Sequence, residues 1–467
     1  MLFSSSVFLI VFLPVVLGLY YIPIFKNTKY KNIILVIFSI LFYGWGEPLF
    51  VFLLLFSCIL NYYLTLYFSK LPCDTDRMIN KKKLYFIFLI SYDIGILFIF
   101  KYLSFLLSEM YKFYDKISPI YIALPIGISF YTFQIISYVV DVYKGIVPAQ
   151  NSLLDLILYI MMFPQLIAGP IVRYNTIQDE IINRTESFEK FGQGCIRFIF
   201  GLSKKVLLSN YCAVIADNAF YLSKQSSLSI LGAWGGSIAY ALQLYLDFSG
   251  YSDMAIGLGL MFGFHFPENF NYPFISKSIT ELWHRWHISL STWFKEYVYI
   301  PLGGNRCKIS RQLINLFFVW LLTGIWHGAN WTFLLWGILN FIILVFEKYL
   351  IKRKQISRVY TLLLFCILIT LFRSDSINDA LHYWHSMIPI GNHVPLYSSA
   401  TIQYFLQSWP TILLSILVCI PIKETLLKKF SDKTIVKLEA VVALPLFIIC
   451  LAHCVGNGYN PFIYFNF

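Results

Sequence analysis

Charge is what this sequence has least of. Only 13% of its 467 residues are Asp, Glu, Lys or Arg, while 58% are hydrophobic. A soluble globular chain is about one quarter charged. The deficit excludes an ordinary soluble domain and points to a polytopic membrane protein. A cysteine framework is missing too. The nine cysteines are scattered, mostly in apolar runs, and no C-x-x-C occurs. An odd count without framework spacing argues against a disulfide scaffold or a zinc site, and leaves buried thiols. No internal repeat stands out at a fixed period, which weakens a transporter reading, since many transporter folds are built from repeats. The first apolar run, Leu2 to Ile24, has neither a basic leading stretch nor a small-residue cleavage site. It reads as a retained first helix rather than a signal peptide.

The charge that is present is mostly positive, with a net of +12. Nucleic acid is a poor partner for it, because the basic residues sit in short loops between apolar runs, where they set topology. Lys70, Arg77, Lys81, Lys82 and Lys83 mark one loop as cytoplasmic, and Lys26, Lys29 and Lys31 mark another. The turn Gly44-Trp45-Gly46-Glu47-Pro48 between them reads as external. Two crossings connect these loops, so the N-terminus is expected outside, with membrane lipids around the bundle.

A span needs about 20 apolar residues. Roughly eleven candidate runs fall near 2–25, 32–45, 49–68, 84–107, 119–140, 153–171, 230–262, 313–346, 358–372, 409–422 and 440–455. The mixed-charge stretch Arg173 to Lys190 is expected in water. Phe191 to Asn210, which carries Lys204 and Lys205, is expected along an interface. The run 230–262 reads as interrupted by glycines, whose simplest role is close helix packing. It also holds Asp247 and Asp253, which must face protein or water. The aromatic load of 44 Phe, 33 Tyr and 11 Trp is largely interfacial belt and lipid-facing surface.

Two motifs carry histidine. The segment ITELWHRWHISLSTWFKEYVYIPLGGNR runs from Ile279 to Arg306. On one helix at 100° per residue, Trp283, Trp286, Leu290, Trp293 and Tyr297 share a face. His284, His287, Ser291 and Lys295 fall on a neighbouring strip. This predicts an amphipathic helix that lies in the interface or dips into the bundle, ended by Pro301 and Gly303-Gly304. The second motif, Thr323-Gly324-Ile325-Trp326-His327-Gly328-Ala329-Asn330, sits inside an apolar run from Leu313 to Phe346. The glycines flanking Trp326-His327 allow a close backbone approach or a break in the helix.

An ionisable group at that depth marks a functional site by default. Ester formation from an activated acyl donor needs a base for the hydroxyl proton and stabilisation of the growing oxyanion. Imidazole suits the base role, because its charge changes near neutral pH. Two other readings stay open. A lone histidine in an apolar helix is often just bonded to a neighbouring carbonyl. His284, His287 and His327 could together ligate a metal, although no carboxylate stands at second-shell spacing, so no metal is assigned. His382 and His385 read as solvated loop surface, and His265, His393 and His453 have no supporting constellation.

With these motifs in their order and separation, the sequence resembles the membrane-bound O-acyltransferase superfamily. It is most similar to the bacterial branch that holds the alginate O-acetyltransferase membrane subunit. Supporting stretches include MLFSSSVFLIVFLPVVLGLYY, LPIGISFYTFQIISYVVDVY, FPQLIAGPIVR, QLYLDFSGYSDMAIGLGLMFGF, GIWHGANWTFLLWG and the terminal PFIYFNF. The resemblance implies one domain over residues 1–467, with a catalytic core near 119–346. It implies an all-α polytopic bundle with re-entrant or interfacial helices around a central tunnel. It maps the catalytic histidine onto His327 and the superfamily's second position onto His287. Trp283-His284-Arg285-Trp286-His287 stands where that branch usually reads W-R-R-W-H.

The resemblance further implies acetyl-CoA or another cytoplasmic thioester as donor, with no tightly bound cofactor. It implies a periplasmic partner of the SGNH-hydrolase-like type and a polysaccharide acceptor. The expected activity is O-acetylation of an exported or cell-surface glycan at the bacterial inner membrane. Asp253, Asn269, Arg285 and Asn330 are weaker candidates for a tunnel wall, with packing or helix capping as the competing role for each. A transporter or flippase for a sugar or lipid-linked precursor is the alternative, because Asp247, Asp253 and the histidines would suit a proton path. A non-catalytic assembly scaffold is the third reading.

Overall fold

In the computed structural model every regular element among the described residues is helical. The described residues are 1–467 except 24–26, 115–119, 352–356, 389–393 and 457–467. Lys26, His393 and the terminal segment 461–467 lie outside them. Among the described residues seven helices are long and apolar enough to cross a membrane, so the all-α polytopic expectation is borne out. Several of the eleven apolar runs give shorter or less apolar helices instead, because turns cut them. The run 153–171, for example, breaks after Met161 into a four-residue helix, Phe163–Leu166.

The described residues divide into two compact units, Met1–Phe198 with Met254–Pro267, and Ile199–Asp253 with Glu268–Phe467. The first contains α1 (Leu13–Tyr20), α2 (Thr28–Gly46), α3 (Phe50–Ser69), α4 (Asp76–Lys101), α5 (Ile128–Tyr143) and α6 (Leu153–Met161). Asn27 and Ser152 cap α2 and α6 through their side chains, the role these residue types favour. Rings of Phe3, Phe8, Phe12, Phe42 and Phe163 pack together. Polar groups within the bundle find partners on neighbouring helices. Asn61 Nδ2 donates to Asp93 Oδ1 at 3.0 Å, and Lys101 Nζ donates to Ser129 Oγ at 3.0 Å.

A continuous helical run covers Phe188–Lys224. It comprises α7 (Phe188–Ser203), a wider turn at Lys204–Ser209 and α8 (Asn210–Lys224). It is long and apolar enough to span, whereas the sequence placed part of it along an interface. The reason lies in its two lysines, which are partnered inside the protein. Lys205 Nζ sits 2.8 Å from Asp247, both buried, and Lys204 Nζ sits 2.7 Å from Asp253. Neither lysine needs a headgroup to carry its charge.

Helix α9 (Ile230–Met261) runs unbroken for 32 residues, so the expected interruption is absent. Its glycines serve close approach. A Cβ at Gly250 would lie 2.7 Å from the Gly201 carbonyl oxygen, and one at Gly257 would lie 2.6 Å from that of Gly194.

The second unit continues with α10 (Ile279–Arg285), α11 (Ile288–Phe294), α12 (Ile309–His327), α13 (Trp331–Tyr349), α14 (Arg358–Arg373) and α15 (Ile377–Met387). Helices α16 (Ser399–Val418) and α17 (Asp432–Gly456) follow. The segment expected as one amphipathic helix from Ile279 is two short helices, divided at Trp286-His287. Three residues turn α12 back onto α13. A Cβ at Gly324 would lie 2.6 Å from the Phe333 carbonyl oxygen, and one at Gly337 would lie 2.5 Å from that of Trp320. Backbone, not a flexible side chain, stands in the way at both positions. Gly337→Val is therefore expected to force α12 and α13 apart and cost at least ~3 kcal/mol, the upper part of the overpacking range. Thermal unfolding of the detergent-solubilised protein, with size-exclusion yield, checks this.

Candidate active site

His327 is the last residue of α12. The carbonyl-rich C-terminal end of a helix carries partial negative charge and favours a cation in its last turn. That suits a base that becomes imidazolium during turnover. The ring is buried, 6% exposed, and three aromatic rings meet it. Centroids of Trp326, Trp336 and Phe372 lie 4.9, 5.2 and 4.8 Å away, each near perpendicular. Gly328 lets the chain leave the helix here, since a Cβ would strike the Phe333 ring at 2.3 Å. Asn330 then caps α13, accepting from Thr332 N–H at 3.1 Å, and its Nδ2 donates to the Asp375 carbonyl at 2.9 Å.

His287 stands at the break between α10 and α11, with φ of +46°. Left-handed backbone is uncommon for a non-glycine residue. Asn269 holds it in place. The Ile288 N–H donates to the Asn269 carbonyl at 2.9 Å. The Asn269 Oδ1 accepts from Ser289 N–H at 3.3 Å and Ser289 Oγ at 2.9 Å, while its Nδ2 donates to Ser252 Oγ at 3.1 Å. Those donors fix which amide atom is oxygen. His287 Nδ1, 3.1 Å from Oδ1, must therefore carry the proton, and in the neutral ring the lone pair is on Nε2.

The two histidine-bearing segments share contacts. Trp326 touches both rings, at 5.9 Å from His287 and 4.9 Å from His327. Trp283 Nε1 donates to Asn340 Oδ1 of α13 at 2.9 Å, and its ring packs on Trp320 and Trp336. The buried Glu347 carboxylate, also on α13, accepts from the amides of Ile279 and Thr280 at 2.7 and 2.9 Å. It thereby satisfies two of the N–H groups that the start of α10 leaves without helical partners. Ser278 supplies the ordinary cap, accepting from Glu281 N–H at 3.0 Å. A proton acceptor, a second oriented imidazole and aromatic walls form a setting suited to moving one proton away from bulk water.

The weaker sequence candidates separate. Asn269 joins the His287 network. Asp253 pairs with Lys204, Arg285 pairs with Glu281 at 2.9 Å and donates to the Asn271 carbonyl, and Asn330 caps a helix. His284 is exposed while His287 is buried, because the break rotates them off the common strip that an unbroken helix would give. Among the described residues no group of three or more His, Cys, Asp or Glu could hold a metal ion. His382 and His385 are exposed, as expected, but lie on helix α15 rather than a loop. His265 meets Glu180, and His453 packs on Tyr211. Glu347 and Asn340 were not foreseen. Each sits in an apolar helix, which is the one signal the sequence offered.

Known proteins share this chain's sequence over most of its length. It is 42% identical over 402 residues to the probable alginate O-acetylase AlgI of Pseudomonas aeruginosa, covering 84% of this chain and 75% of that protein. The chain belongs to the membrane-bound O-acyltransferase family. The family model matches residues 147–362, which contain both histidine motifs. The peptidoglycan O-acetyltransferase of Helicobacter pylori is 36% identical over 370 residues, or 73% of this chain and 69% of that one. The teichoic acid D-alanyltransferase of Bacillus subtilis is 30% identical over 248 residues, covering 49% and 61%. As a member of this family the chain is a multi-pass membrane acyltransferase that draws on an acyl donor. The transporter alternative is not favoured.

Two outcomes follow from the network. Asn269→Ala removes the acceptor that fixes the His287 ring, and acyl transfer should fall on the order of 10²-fold, measured at equal protein level. Glu347→Ala leaves two amides of α10 without their partner and should lower folding stability by about 2 kcal/mol or more, seen as a reduced thermal midpoint.

Proposed function

We propose that the chain O-acetylates an exported or cell-surface polysaccharide, with His327 as the essential base. The observation that carries this is a buried imidazole at the turn between two apolar helices, walled by aromatic rings. An acceptor hydroxyl attacks the carbonyl carbon of the acyl donor. His327 takes the hydroxyl proton as the new C–O bond forms. The C–S bond then breaks, and the leaving thiolate recovers the proton. His287 assists or orients, its Nε2 kept as the lone-pair atom by Asn269. The donor is acetyl-CoA or another cytoplasmic thioester, and no tightly held cofactor is required.

The names of the relatives support the acceptor class, since two act on alginate or peptidoglycan by name. The charged loops support the placement of the N-terminus, and membership of the family supports the rest. The protein sits in the bacterial inner membrane with its N-terminus in the periplasm, and the chain forms a single domain with its core near 119–346. A periplasmic partner of the SGNH-hydrolase-like type receives or attaches the acetyl groups.

The test replaces His327 with alanine and measures polymer-bound acetate together with total polymer. Acetate should be lost while polymer is still made. A transporter would strand or remove the polymer instead. Unchanged acetylation at equal protein level would sink the assignment.

A further inference from the structure

A buried indole normally finds an acceptor for its N–H. Three tryptophans of the second unit do. Trp234 Nε1 donates to the Met387 carbonyl at 3.0 Å, Trp283 Nε1 to Asn340 Oδ1 at 2.9 Å, and Trp384 Nε1 to Thr370 Oγ1 at 2.7 Å. Trp336 of α13 does not. The residue is 1% exposed, yet its Nε1 has no acceptor among the described residues. A buried donor without a partner is unfavourable for folding. A phenylalanine would fill much of the same apolar space and leave no donor bare. The N–H therefore calls for a role outside the bonding of the folded chain itself.

Its position supplies that role. The Trp336 ring stands 5.2 Å from the His327 ring, nearly perpendicular at 86°. Its other ring neighbours are Trp283, Phe372 and Trp320, at 5.3, 5.4 and 5.9 Å. An indole is donor-only and a phenyl ring has no polar atom, so these hold the side chain without competing for its N–H. The backbone is held too. Asn340 Nδ2 donates to the Trp336 carbonyl at 2.9 Å, and the adjoining Gly337 lies tight against α12. A donor fixed in advance needs no reorganisation when charge develops.

The chemistry at His327 has need of one. His327 ends α12, where carbonyls rather than N–H groups are left over. That end of a helix favours the imidazolium and opposes a growing oxyanion. The next N–H along the chain, that of Gly328, already donates to the Ile325 carbonyl at 3.2 Å. Negative charge formed beside the base must be met by a side chain, and the Trp336 N–H is next to the base and out of bulk water.

We propose that the Trp336 indole N–H is a catalytic donor to the acyl carbonyl oxygen, a role that rests on the acyl-transfer reading of His327. As the hydroxyl oxygen bonds to the carbonyl carbon, His327 takes the hydroxyl proton. The π pair of the carbonyl moves onto its oxygen, where the indole N–H meets it. On collapse the C=O bond re-forms, the C–S bond breaks, and the leaving thiolate takes the proton from the imidazolium. The indole keeps its own proton throughout. The step is the same whichever hydroxyl accepts the acyl group.

The experiment measures the initial rate of acetate incorporation into polymer, in cells whose own copy of the chain is replaced by each variant at equal protein level. One variant is Trp336→Phe. In the second, position 336 carries benzothienylalanine, which keeps the bicyclic shape and puts sulfur where the N–H was. Both should slow incorporation about 10²-fold, the loss of one oxyanion donor. The thermal midpoint of the isosteric protein in detergent should match wild type. A wild-type rate with the isostere overturns the inference whatever Trp336→Phe does, because packing alone then accounts for the residue. A lowered midpoint with the isostere marks the N–H as a bond of the fold and overturns it as well. His327→Ala, measured in parallel, separates the two readings. Acetate lost there with a wild-type rate for the isostere strikes the Trp336 assignment alone. Acetate retained there with a slow isostere strikes the base assignment alone.

Discussion

The Glu347 carboxylate fixes the geometry on which the two histidines depend. It grips the first amides of α10 from α13, and about two turns earlier on the same helix Asn340 grips Trp283. Two anchor points set both the position and the rotation of a short helix. A seven-residue helix has little stability of its own, because nucleation is costly and propagation brief. Its place is supplied from outside. The His287 end of α10 is then held by Asn269, so the break falls where that network permits it. Removing water from these bonds strengthens them electrostatically, and equally raises the cost of leaving any of them unmade.

A second layer of order comes from backbone packing. Transmembrane helices gain little from the hydrophobic effect against one another, since lipid tails are just as apolar. Association then depends on close contact and on polar pairs. Both are present in the second unit: Gly324 and Gly337 bring α12 and α13 together, and the lysines at 204 and 205 neutralise Asp253 and Asp247. Those ion pairs also answer the proton-path reading of the aspartates. Each carboxylate already faces a cation at bonding distance.

Much of the fold was legible because a bilayer imposes simple rules. Run length and loop charge point to an all-helical, multi-pass chain, and the depth of His327 in an apolar run sets it apart. The break at His287 was hidden for a physical reason. Apolar residues keep their three-and-four spacing straight through it, from Trp283 to Tyr297, so periodicity reports one helix where there are two. What divides them is Asn269, eighteen residues upstream, and nothing local encodes that partnership. Lys204 and Lys205 misled in the same way. Their charge was visible, their partners on α9 were not. Glu347 sits near the end of an apolar helix, and only its contact with α10 gives it a role.

The left-handed backbone at His287 acts as a filter on heredity as well as on shape. Side chains branched at Cβ are nearly barred from that conformation, whereas glycine, asparagine, aspartate and histidine enter it at modest expense. Of these, glycine has no ring or amide to meet Asn269, and aspartate would set a negative charge against an oxygen. Of these four, only histidine and asparagine combine the bend with a side-chain donor toward Asn269.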